Sequence, residues 1–307
     1  MLEKKDSLRV AVLMGGLSSE REISLQSGKA VAQALAANGW NVQEIDVSPD
    51  LPRQLIDLKI DVAWIALHGL YGEDGCVQGL LEVMGIPYTG SNVQACAISM
   101  DKISTKMVLK QSDVRLIPDF VMKRGESIPT DFYPCVLKDP TGGSSIGVWI
   151  CHTEEDAASG LRESETETFL VEKYIQGEEI TVAVFDGVPY PVVSIRPKVE
   201  FFDLAAKYTK GMTDYIVPSP LPESICIDAQ KQAVEAYQKL GMSGIARADF
   251  IVTAEGKTYF LEINASPGMT ATSLSPMAAQ AVGISFPDLV EKILLQARCS
   301  LQPVSSS

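Results

Sequence analysis

The stretch RADFIVTAEGKTYFLEINASPG, residues 247–268, predicts a β-hairpin with one polar face and one apolar face. Both flanks have the composition of strands, and Gly256 can supply the positive φ of a two-residue loop at Glu255 and Gly256. Side chains in a strand alternate between the two faces of a sheet. The apolar face of this hairpin is predicted to contain Ala248, Phe250, Val252, Leu261 and Ile263.

The predicted loop also fixes which residues face each other across the hairpin. It places Asp249 opposite Glu262 and Arg247 opposite Asn264, with all four side chains on the same face. A register shift of one residue would turn these charges into the core, so the hydrophobic pattern supports this pairing.

Two carboxylates and an amide oxygen this close together predict a site for a hard cation. Mg²⁺ takes few protein ligands and completes its shell with water and phosphate oxygens, so Asp249, Glu262 and Asn264 are the candidate metal ligands. The alternative is a solvated hairpin face with an Arg–Asp pair. The turn that follows, with Gly268 where a backbone must pass close to another group, favours a site for metal and phosphate.

The bulk composition excludes several classes of protein. The chain has 307 residues and a net charge of −13, which argues against a nucleic-acid or anionic-membrane surface because both require a basic patch. There is no apolar run of the roughly 20 residues that a transmembrane helix needs. The six cysteines are scattered without a CxxC pair, which indicates reduced thiols, a cytoplasmic location and no structural zinc.

The order of predicted elements indicates an α/β N-terminal domain followed by α+β units. Strands and helices alternate in the first third, which predicts a parallel sheet covered on both faces. A single helix is expected within residues 89–113. Beyond it, β-branched strands joined by short turns predict antiparallel sheets.

Three further segments are open to more than one interpretation. The backbone N–H groups of residues 142–145, after Lys138, could form a phosphate-binding nest or belong to an ordinary flexible hairpin. His68 follows a buried strand and could contact a ligand or only a neighbouring loop. Ser19 and Glu22 fit a capping box, which would explain the nearby Glu20 without any catalytic role.

The ordered set of motifs resembles one family, the D-alanine–D-alanine ligases of the ATP-grasp superfamily. The resemblance covers nearly the whole chain with its spacing intact. It rests on GGLSSERE (15–22), ALHGLYGEDG (66–75), YTGS (88–91), MDK (100–102), GGSSIGV (142–148), ARADF (246–250) and LEINASPGMTATSL (261–274).

The resemblance implies an enzyme that joins two D-alanine molecules at the expense of ATP, through an acyl phosphate, for peptidoglycan precursor synthesis. It implies two Mg²⁺ ions as cofactors, with Mn²⁺ as a substitute, and a cytoplasmic homodimer that binds neither nucleic acid nor membrane. The expected domains are an N-terminal substrate-binding domain (1–100), a central ATP-grasp subdomain (101–182) and a C-terminal ATP-grasp domain (183–307) with the metal site and a lid loop.

The resemblance also implies a role for each matching residue. The expected nucleotide-binding residues are Lys102 and Lys138 on the phosphates, Glu172, Lys173 and Ile175 on adenine, Glu179 on ribose, and Ser144 and Lys207. The expected catalytic residues are Glu20, Ser144, Tyr208, Arg247, Gly268 and Ser273, with Arg247 and the Gly268 N–H on the oxyanion. The expected substrate-binding residues are Glu20 on the first ammonium, Ser273 and Leu274 at the second D-alanine, and His68.

Tyr208 bears on the product, because the resemblance associates Tyr here with dipeptides and Phe with D-lactate esters. The sequence departs from the family pattern at Asp139, where Pro is usual, and at Leu204. Two alternatives are another ATP-grasp ligase and a non-catalytic binding module. The retained metal ligands, Arg247 and the two lysines argue against the module. A dinucleotide-dependent oxidoreductase is disfavoured because GxGxxG is absent.

Overall fold

The N-terminal part of the chain forms a three-stranded parallel sheet. The computed structural model describes residues 7–142, 147–197 and 213–300. The sheet has the order β2-β1-β3 and consists of β1 (Arg9–Met14), β2 (Asn41–Asp46) and β3 (Val62–Ile65). The helices of this part are α1 (Arg21–Ala37), α2 (Leu51–Asp57) and α3 (Cys76–Met84).

Both faces of this sheet are covered at its central strand β1, as predicted. Val10 and Val12 of β1 lie in a core shared with α1, while Ala11 and Leu13 lie in a second core on the opposite face. All four are fully buried. Apolar strands of this kind are typical of parallel sheets covered on both sides.

The single helix expected within residues 89–113 is wrong, because the structure has two. They are α4 (Val93–Met100) and α5 (Lys102–Leu109), separated by Asp101 in an extended conformation. The Asp101 carboxylate accepts the Ser104 N–H at 2.5 Å and so caps α5. A side chain that satisfies a first-turn N–H group favours a new helix start at this point.

A four-stranded antiparallel sheet follows, with the order β4-β7-β5-β6. It is covered by α6 (Glu154–Glu163), and a short 3₁₀ helix (Thr130–Phe132) precedes β5. The strands are β4 (Asp119–Lys123), β5 (Cys135–Lys138), β6 (Val148–Cys151) and β7 (Thr168–Lys173).

The largest sheet is antiparallel and has the order β11-β10-β8-β12-β13, with β9 paired to β8. Three helices accompany it in the chain: α7 (Glu223–Lys239), α8 (Leu274–Gln280) and α9 (Phe286–Leu295). The strands are β8 (Glu178–Phe185), β9 (Val188–Pro189), β10 (Val193–Pro197), β11 (Thr213–Ile216), β12 (Ile245–Val252) and β13 (Thr258–Asn264).

The division into three domains stays a prediction. Its boundary between residues 182 and 183 falls within β8, so the sheets favour a boundary in the connection between β7 and β8. Among the described residues, none of the helices is both long and apolar enough to cross a membrane.

The hairpin β12–β13 has the predicted register at its polar end. Arg247 pairs with Asn264 and Asp249 with Glu262. The predicted two-residue loop is wrong, because Thr253 and Lys257 close a three-residue loop. A β-bulge after Asp249 compensates for the extra loop residue.

The bulge also changes which residues face the core. Ala248, Phe250, Val252 and Ile263 are buried as predicted, but Phe260 is buried and Leu261 is only half-buried. Phe250 and Phe260 pack edge to face with ring centroids 5.7 Å apart. The inserted residue of a bulge is left out of the pairing, which accounts for Leu261.

We expect Gly28→Ala to destabilise the protein, because Gly28 of α1 lies directly on Met14 of β1. A Cβ at Gly28 would overlap the Met14 Cβ atom, which cannot move away without moving its strand. The expected loss in the free energy of unfolding is roughly 1–3 kcal/mol, measured by urea unfolding.

Gly79→Ala is the matched control within another helix. The nearest atom to a Cβ there is Val93 Cγ2 at 3.9 Å, an ordinary contact. Replacing a helical glycine without a clash should stabilise the protein by roughly 0.5–1 kcal/mol. Equal effects of the two substitutions would contradict the close packing of α1 on β1.

Candidate active site

Asp249 lies on β12, an interior strand of the largest sheet, and the residue is almost completely buried, at 3% exposure. Arg247, two residues earlier on the same face, donates Nε to Oδ1 at 2.9 Å and Nη2 to Oδ2 at 2.8 Å. Thr181 of β8 donates its hydroxyl to Oδ1 at 2.5 Å, and Asn264 of β13 donates Nδ2 to Oδ2 at 3.2 Å. Three strands therefore converge on one carboxylate.

These four hydrogen bonds use all four acceptor positions that a carboxylate offers. The guanidinium also balances the negative charge, which a buried carboxylate requires. The Arg–Asp pair considered above is therefore present, but it lies inside the protein rather than on a solvated face.

Lys102, the first residue of α5, approaches the same group of side chains. Its Nζ lies 3.5 Å from Glu262 Oε2 and also donates to the carbonyl of Gly142. The backbone N–H of Lys102 donates to Pro140 O at 2.9 Å. This lysine therefore ties the glycine-containing loop after β5 to the polar end of β13.

Lys138 and Glu172 form a buried ion pair in the four-stranded sheet. Lys138 Nζ lies 2.5 Å from Glu172 Oε2, and Lys106 of α5 is ion-paired with Glu172 Oε1. Burial alone would raise the pKa of Glu172, but Lys138 and Lys106 outweigh it and hold that pKa below its usual value. Burial lowers the pKa of Lys138, yet Glu172 shifts it upward overall, so both groups stay charged.

The side chain of Lys173 hydrogen-bonds to backbone carbonyl groups before β5. Its Nζ donates to the carbonyls of Asp131, Phe132 and Tyr133 at 3.2, 3.1 and 3.2 Å. Ile175 is half-buried in the connection between β7 and β8. Any ligand contact by Lys173 in this arrangement would involve its backbone.

A cavity of about 600 Å³ brings together side chains from distant parts of the sequence. A smaller adjoining cavity of about 60 Å³ is lined by Lys102, Gly142, Glu20, Glu73 and Glu262. The predicted site residues that line the larger one are Glu20, His68, Glu179, Arg247, Asp249, Glu262, Asn264, Gly268, Ser273 and Leu274.

Glu20 lies at the start of α1, where the chain leaves the N-terminal sheet. The expected capping box is wrong, because α1 begins at Arg21 and its N-cap has no side-chain cap. Instead, the Ser18 hydroxyl accepts the Glu20 N–H at 3.2 Å and donates to His68 O at 2.7 Å. Glu20 is thereby placed on the cavity wall rather than in the first helical turn.

His68 is buried, and both of its ring nitrogens contact protein atoms. Nδ1 lies 2.9 Å from Ser266 O and Nε2 lies 3.1 Å from Ser27 Oγ. A carbonyl only accepts, so Nδ1 carries the proton. Burial lowers the pKa of His68 although the nearby Glu20 opposes this, which favours the neutral ring at neutral pH.

Ser273 and Leu274 lie at the start of α8, opposite Gly268. The Ser273 hydroxyl accepts the Thr270 N–H at 3.1 Å, which closes the turn after β13. A Cβ at Gly268 would lie 3.3 Å from Ser273 Oγ, so a larger residue would crowd this turn.

Comparisons with known proteins identify the family over most of the chain. A family model described as D-ala D-ala ligase C-terminus matches residues 104–295, and one described as D-ala D-ala ligase N-terminus matches residues 48–91. The chain belongs to the D-alanine–D-alanine ligase family. The predicted family is therefore confirmed.

Individual relatives match over nearly their full length. A D-alanine–D-alanine ligase of Syntrophotalea carbinolica is 49% identical, covering 94% of this chain and 96% of the relative. A solved D-alanine–D-alanine ligase of Bacillus anthracis has a TM-score of 0.83 at 37% identity, covering 94% and 97%. A structure of the Bacillus anthracis ligase complexed with ATP has a TM-score of 0.82 at 34% identity, with the same coverage. These similarities confirm the predicted fold class.

Three predicted site residues, Ser144, Lys207 and Tyr208, lie outside the described residues, as does Leu204. The departure at Asp139 has a local explanation. Its carboxylate lies 3.3 Å from the Thr141 N–H, which it accepts, so it takes part in the loop after β5.

Sequence reasoning did not assign roles to several residues that the structure places at the site. Glu73 belongs to the motif ALHGLYGEDG (66–75), and its position between Gly72 and Asp74 in a loop after a buried strand is the sequence feature that could have indicated a role. Lys106, Thr181 and Ser27 carried no local signal, because each acts on a partner distant in sequence.

We expect Glu172→Gln to destabilise the protein strongly, because it removes the buried carboxylate that Lys138 and Lys106 share. Lys106 then keeps only its longer ion pair with Asp119, at 3.7 Å. Removing one partner of a buried ion pair costs about 3–5 kcal/mol, measured here as the free energy of unfolding in urea. Asp57→Asn is the control, since its ion pair with Arg53 is largely exposed and its loss should change stability by less than about 1 kcal/mol. Similar losses in both variants would contradict this interpretation.

Proposed function

We propose that this chain joins two D-alanine molecules into D-alanyl-D-alanine, converting ATP to ADP and phosphate, in the synthesis of peptidoglycan precursors. The observation that carries the proposal is the convergence of Asp249, Glu262 and Asn264 with Arg247 and Glu20 on one cavity. The relatives' names and the ATP bound by the Bacillus anthracis ligase support the same activity.

The nucleotide would lie between the four-stranded and the largest sheet. We assign Lys102 and Lys138 to its phosphates, because both are cations at the edge of the glycine-containing loop. Lys102 touches the Gly142 carbonyl, and Lys138 ends β5, where this loop begins. Glu172, Lys173 and Ile175 are assigned to adenine and Glu179 to ribose, with Ser144 and Lys207 completing the set.

The donor chemistry of the site fits Mg²⁺. Asp249, Glu262 and Asn264 offer two carboxylates and an amide on adjacent strands, and such hard oxygen donors are what Mg²⁺ prefers. Two Mg²⁺ ions, or Mn²⁺ in their place, would neutralise phosphate charge when bound. Since Asp249 already accepts four hydrogen bonds, cation binding must replace some of them.

The protein groups around the cavity have distinct roles in the proposed reaction. Glu20 pairs with the ammonium of the first D-alanine, whose carboxylate is activated as an acyl phosphate. The amine of the second D-alanine then attacks the carbonyl carbon and phosphate leaves. Arg247 and the Gly268 N–H stabilise the oxyanion, where fixed donors contribute most to rate.

The second D-alanine is assigned to the Ser273 and Leu274 side of the cavity. The hydroxyl of Ser273 is a donor for its carboxylate, and Leu274 forms part of the apolar wall. We assign Tyr208 to the choice of D-alanine over D-lactate, and Ser144 and Tyr208 to a hydrogen-bonded group with Glu20. His68 is assigned to the substrate side through its position on the wall. A cytoplasmic homodimer is proposed by analogy with the family.

The first test is release of ADP with Mg²⁺ and ATP, with D-alanine, L-alanine, or D-alanine plus D-lactate, and products identified by mass. We expect ADP and D-alanyl-D-alanine from D-alanine alone. A depsipeptide would keep the mechanism but contradict the role of Tyr208. ATP binding without turnover would favour a non-catalytic module.

A second test concerns the metal ligands. Glu262→Gln should lower turnover by at least about 100-fold, because it removes a charged ligand from the site where phosphate charge is neutralised. Glu255→Gln, in the exposed loop of the same hairpin, is the matched control and should retain activity. Manganese binding, measured by equilibrium dialysis with a non-hydrolysable ATP analogue, should weaken only in Glu262→Gln. Unchanged binding and turnover would refute the metal site.

A further inference from the structure

The turn after β13 is held by side chains from the N-terminal part of the chain. Glu73 Oε1 accepts the Ser266 N–H at 3.0 Å, and His68 Nδ1 donates to Ser266 O at 2.9 Å. Both backbone groups of Ser266 are therefore bound by one loop, which follows β3. Gly268 lies only two residues beyond Ser266.

A third contact holds the other end of the same turn. The Ser27 hydroxyl accepts the Met269 N–H at 3.2 Å and lies 3.1 Å from His68 Nε2. Because His68 Nδ1 is the protonated nitrogen, Nε2 accepts the Ser27 O–H. Gly268 is thus flanked by two backbone N–H groups, of Ser266 and Met269, that are both fixed from outside the turn.

Glu73 is the charged member of this arrangement. Its second oxygen, Oε2, accepts the Gly69 N–H at 2.8 Å, so each carboxylate oxygen binds a different loop. In the ionised carboxylate, neither oxygen carries a proton, so each can accept one of these two hydrogen bonds. A carboxylate is therefore suited to join the two loops.

We propose that Glu73 is a positioning residue, which together with His68 and Ser27 fixes the turn that presents the Gly268 N–H to the reaction. This inference rests on the proposed function, in which that N–H stabilises the oxyanion. A donor displaced by about 1 Å can cost roughly 100-fold in rate, so the way this turn is held matters for catalysis.

The surroundings of Glu73 show that its ionised form does not stabilise the fold, which distinguishes positioning of the turn from a role in stability. Burial raises the pKa of Glu73 to about 7, with a contribution from the charge of Glu20, and the two N–H groups and Arg247 only partly oppose this. A carboxyl whose pKa rises on folding contributes stability below its unfolded pKa, and loses that contribution as pH rises through about 7. Ionisation of Glu73 therefore lowers the free energy of unfolding.

The other titratable or charged groups around Glu73 come from five parts of the fold. They are Glu20 before α1, His68 after β3, Arg247 on β12, and Lys102 and Glu262 across the small cavity. The neutral His68 does not change charge above its lowered pKa. We therefore expect Glu73 to set an acid limb near pH 7 in kcat/KM, which reports the free enzyme, with the higher value above that pH.

The test is Glu73→Gln, with kcat, KM and Tm measured from about pH 6 to about pH 8.5. A glutamine can accept only one of the two N–H groups, so it resembles the protonated enzyme. We expect kcat to fall about 100-fold at the upper pH, KM for ATP to stay within about twofold, and the acid limb to disappear. The Tm at the upper pH should be unchanged or higher, because the buried charge is gone.

Two further variants serve as a control and a comparison for Glu73→Gln. Glu126→Gln, whose Oε2 accepts the Lys123 N–H at 2.8 Å on the exposed surface, should keep the wild-type kcat and pH profile. Ser27→Ala, at the other end of the turn, should lower kcat while retaining the acid limb, because Glu73 remains.

A last comparison separates positioning from proton transfer. Hydroxylamine can replace the second D-alanine as a nucleophile and is neutral at the upper pH, so it needs no base to become reactive. Equal losses of hydroxamate and dipeptide formation in Glu73→Gln support positioning. Loss of dipeptide alone would overturn it and assign Glu73 to the amine proton instead.

The remaining outcomes are distinct. An active wild type with an unchanged Glu73→Gln variant, or a variant that loses Tm in parallel with kcat, overturns the role of Glu73 and leaves the proposed function intact. A wild type that forms ADP but no dipeptide overturns the proposed function, and this role of Glu73 with it.

Discussion

The arrangement of the site depends on placing one carboxylate, Asp249, in the middle of a sheet. A buried charge is tolerated only when its hydrogen bonds and its charge are satisfied. Arg247, Thr181 and Asn264 meet that requirement from three neighbouring strands. Because β12 pairs with both β8 and β13, these partners are held by two hydrogen-bonded ladders. The polar face of the largest sheet is thus set by the backbone pairing.

The second constraint is that no single part of the chain makes the site. The largest sheet supplies the carboxylates and Arg247, and the N-terminal part supplies Glu20, His68 and Glu73. In the proposed function, the four-stranded sheet adds Lys138. The N-terminal part is attached through a shared apolar core that includes Val12 and Val290 of α9. Apolar packing holds these parts together, and the polar contacts to Ser266 and Met269 then fix the local geometry.

The sequence was sufficient for features governed by local periodicity. The buried β1 follows from its apolar run. The pairing of Asp249 with Glu262 follows from side-chain alternation together with an assumed loop position. The prediction had a two-residue loop and no bulge, whereas the hairpin has a three-residue loop and one bulge. The two differences compensate for each other, so the pairing at the polar end of the hairpin is the predicted one. Contacts between residues far apart could not be predicted, since Glu73 and Ser266 are 193 positions apart and Ser27 and Met269 are 242. Local patterns contain no information about such encounters.

The bulge beside Asp249 has a consequence for how this hairpin can vary. The polar end of β12 is already fixed on its other side by β8, with Asp249 opposite Thr181. A residue gained or lost at the tip can therefore be absorbed by creating or removing the bulge, without turning Asp249 or Glu262 to the opposite face. A change in loop length therefore leaves the site residues in place. Insertions in the loop are expected to be far better tolerated than insertions in β12 before Asp249.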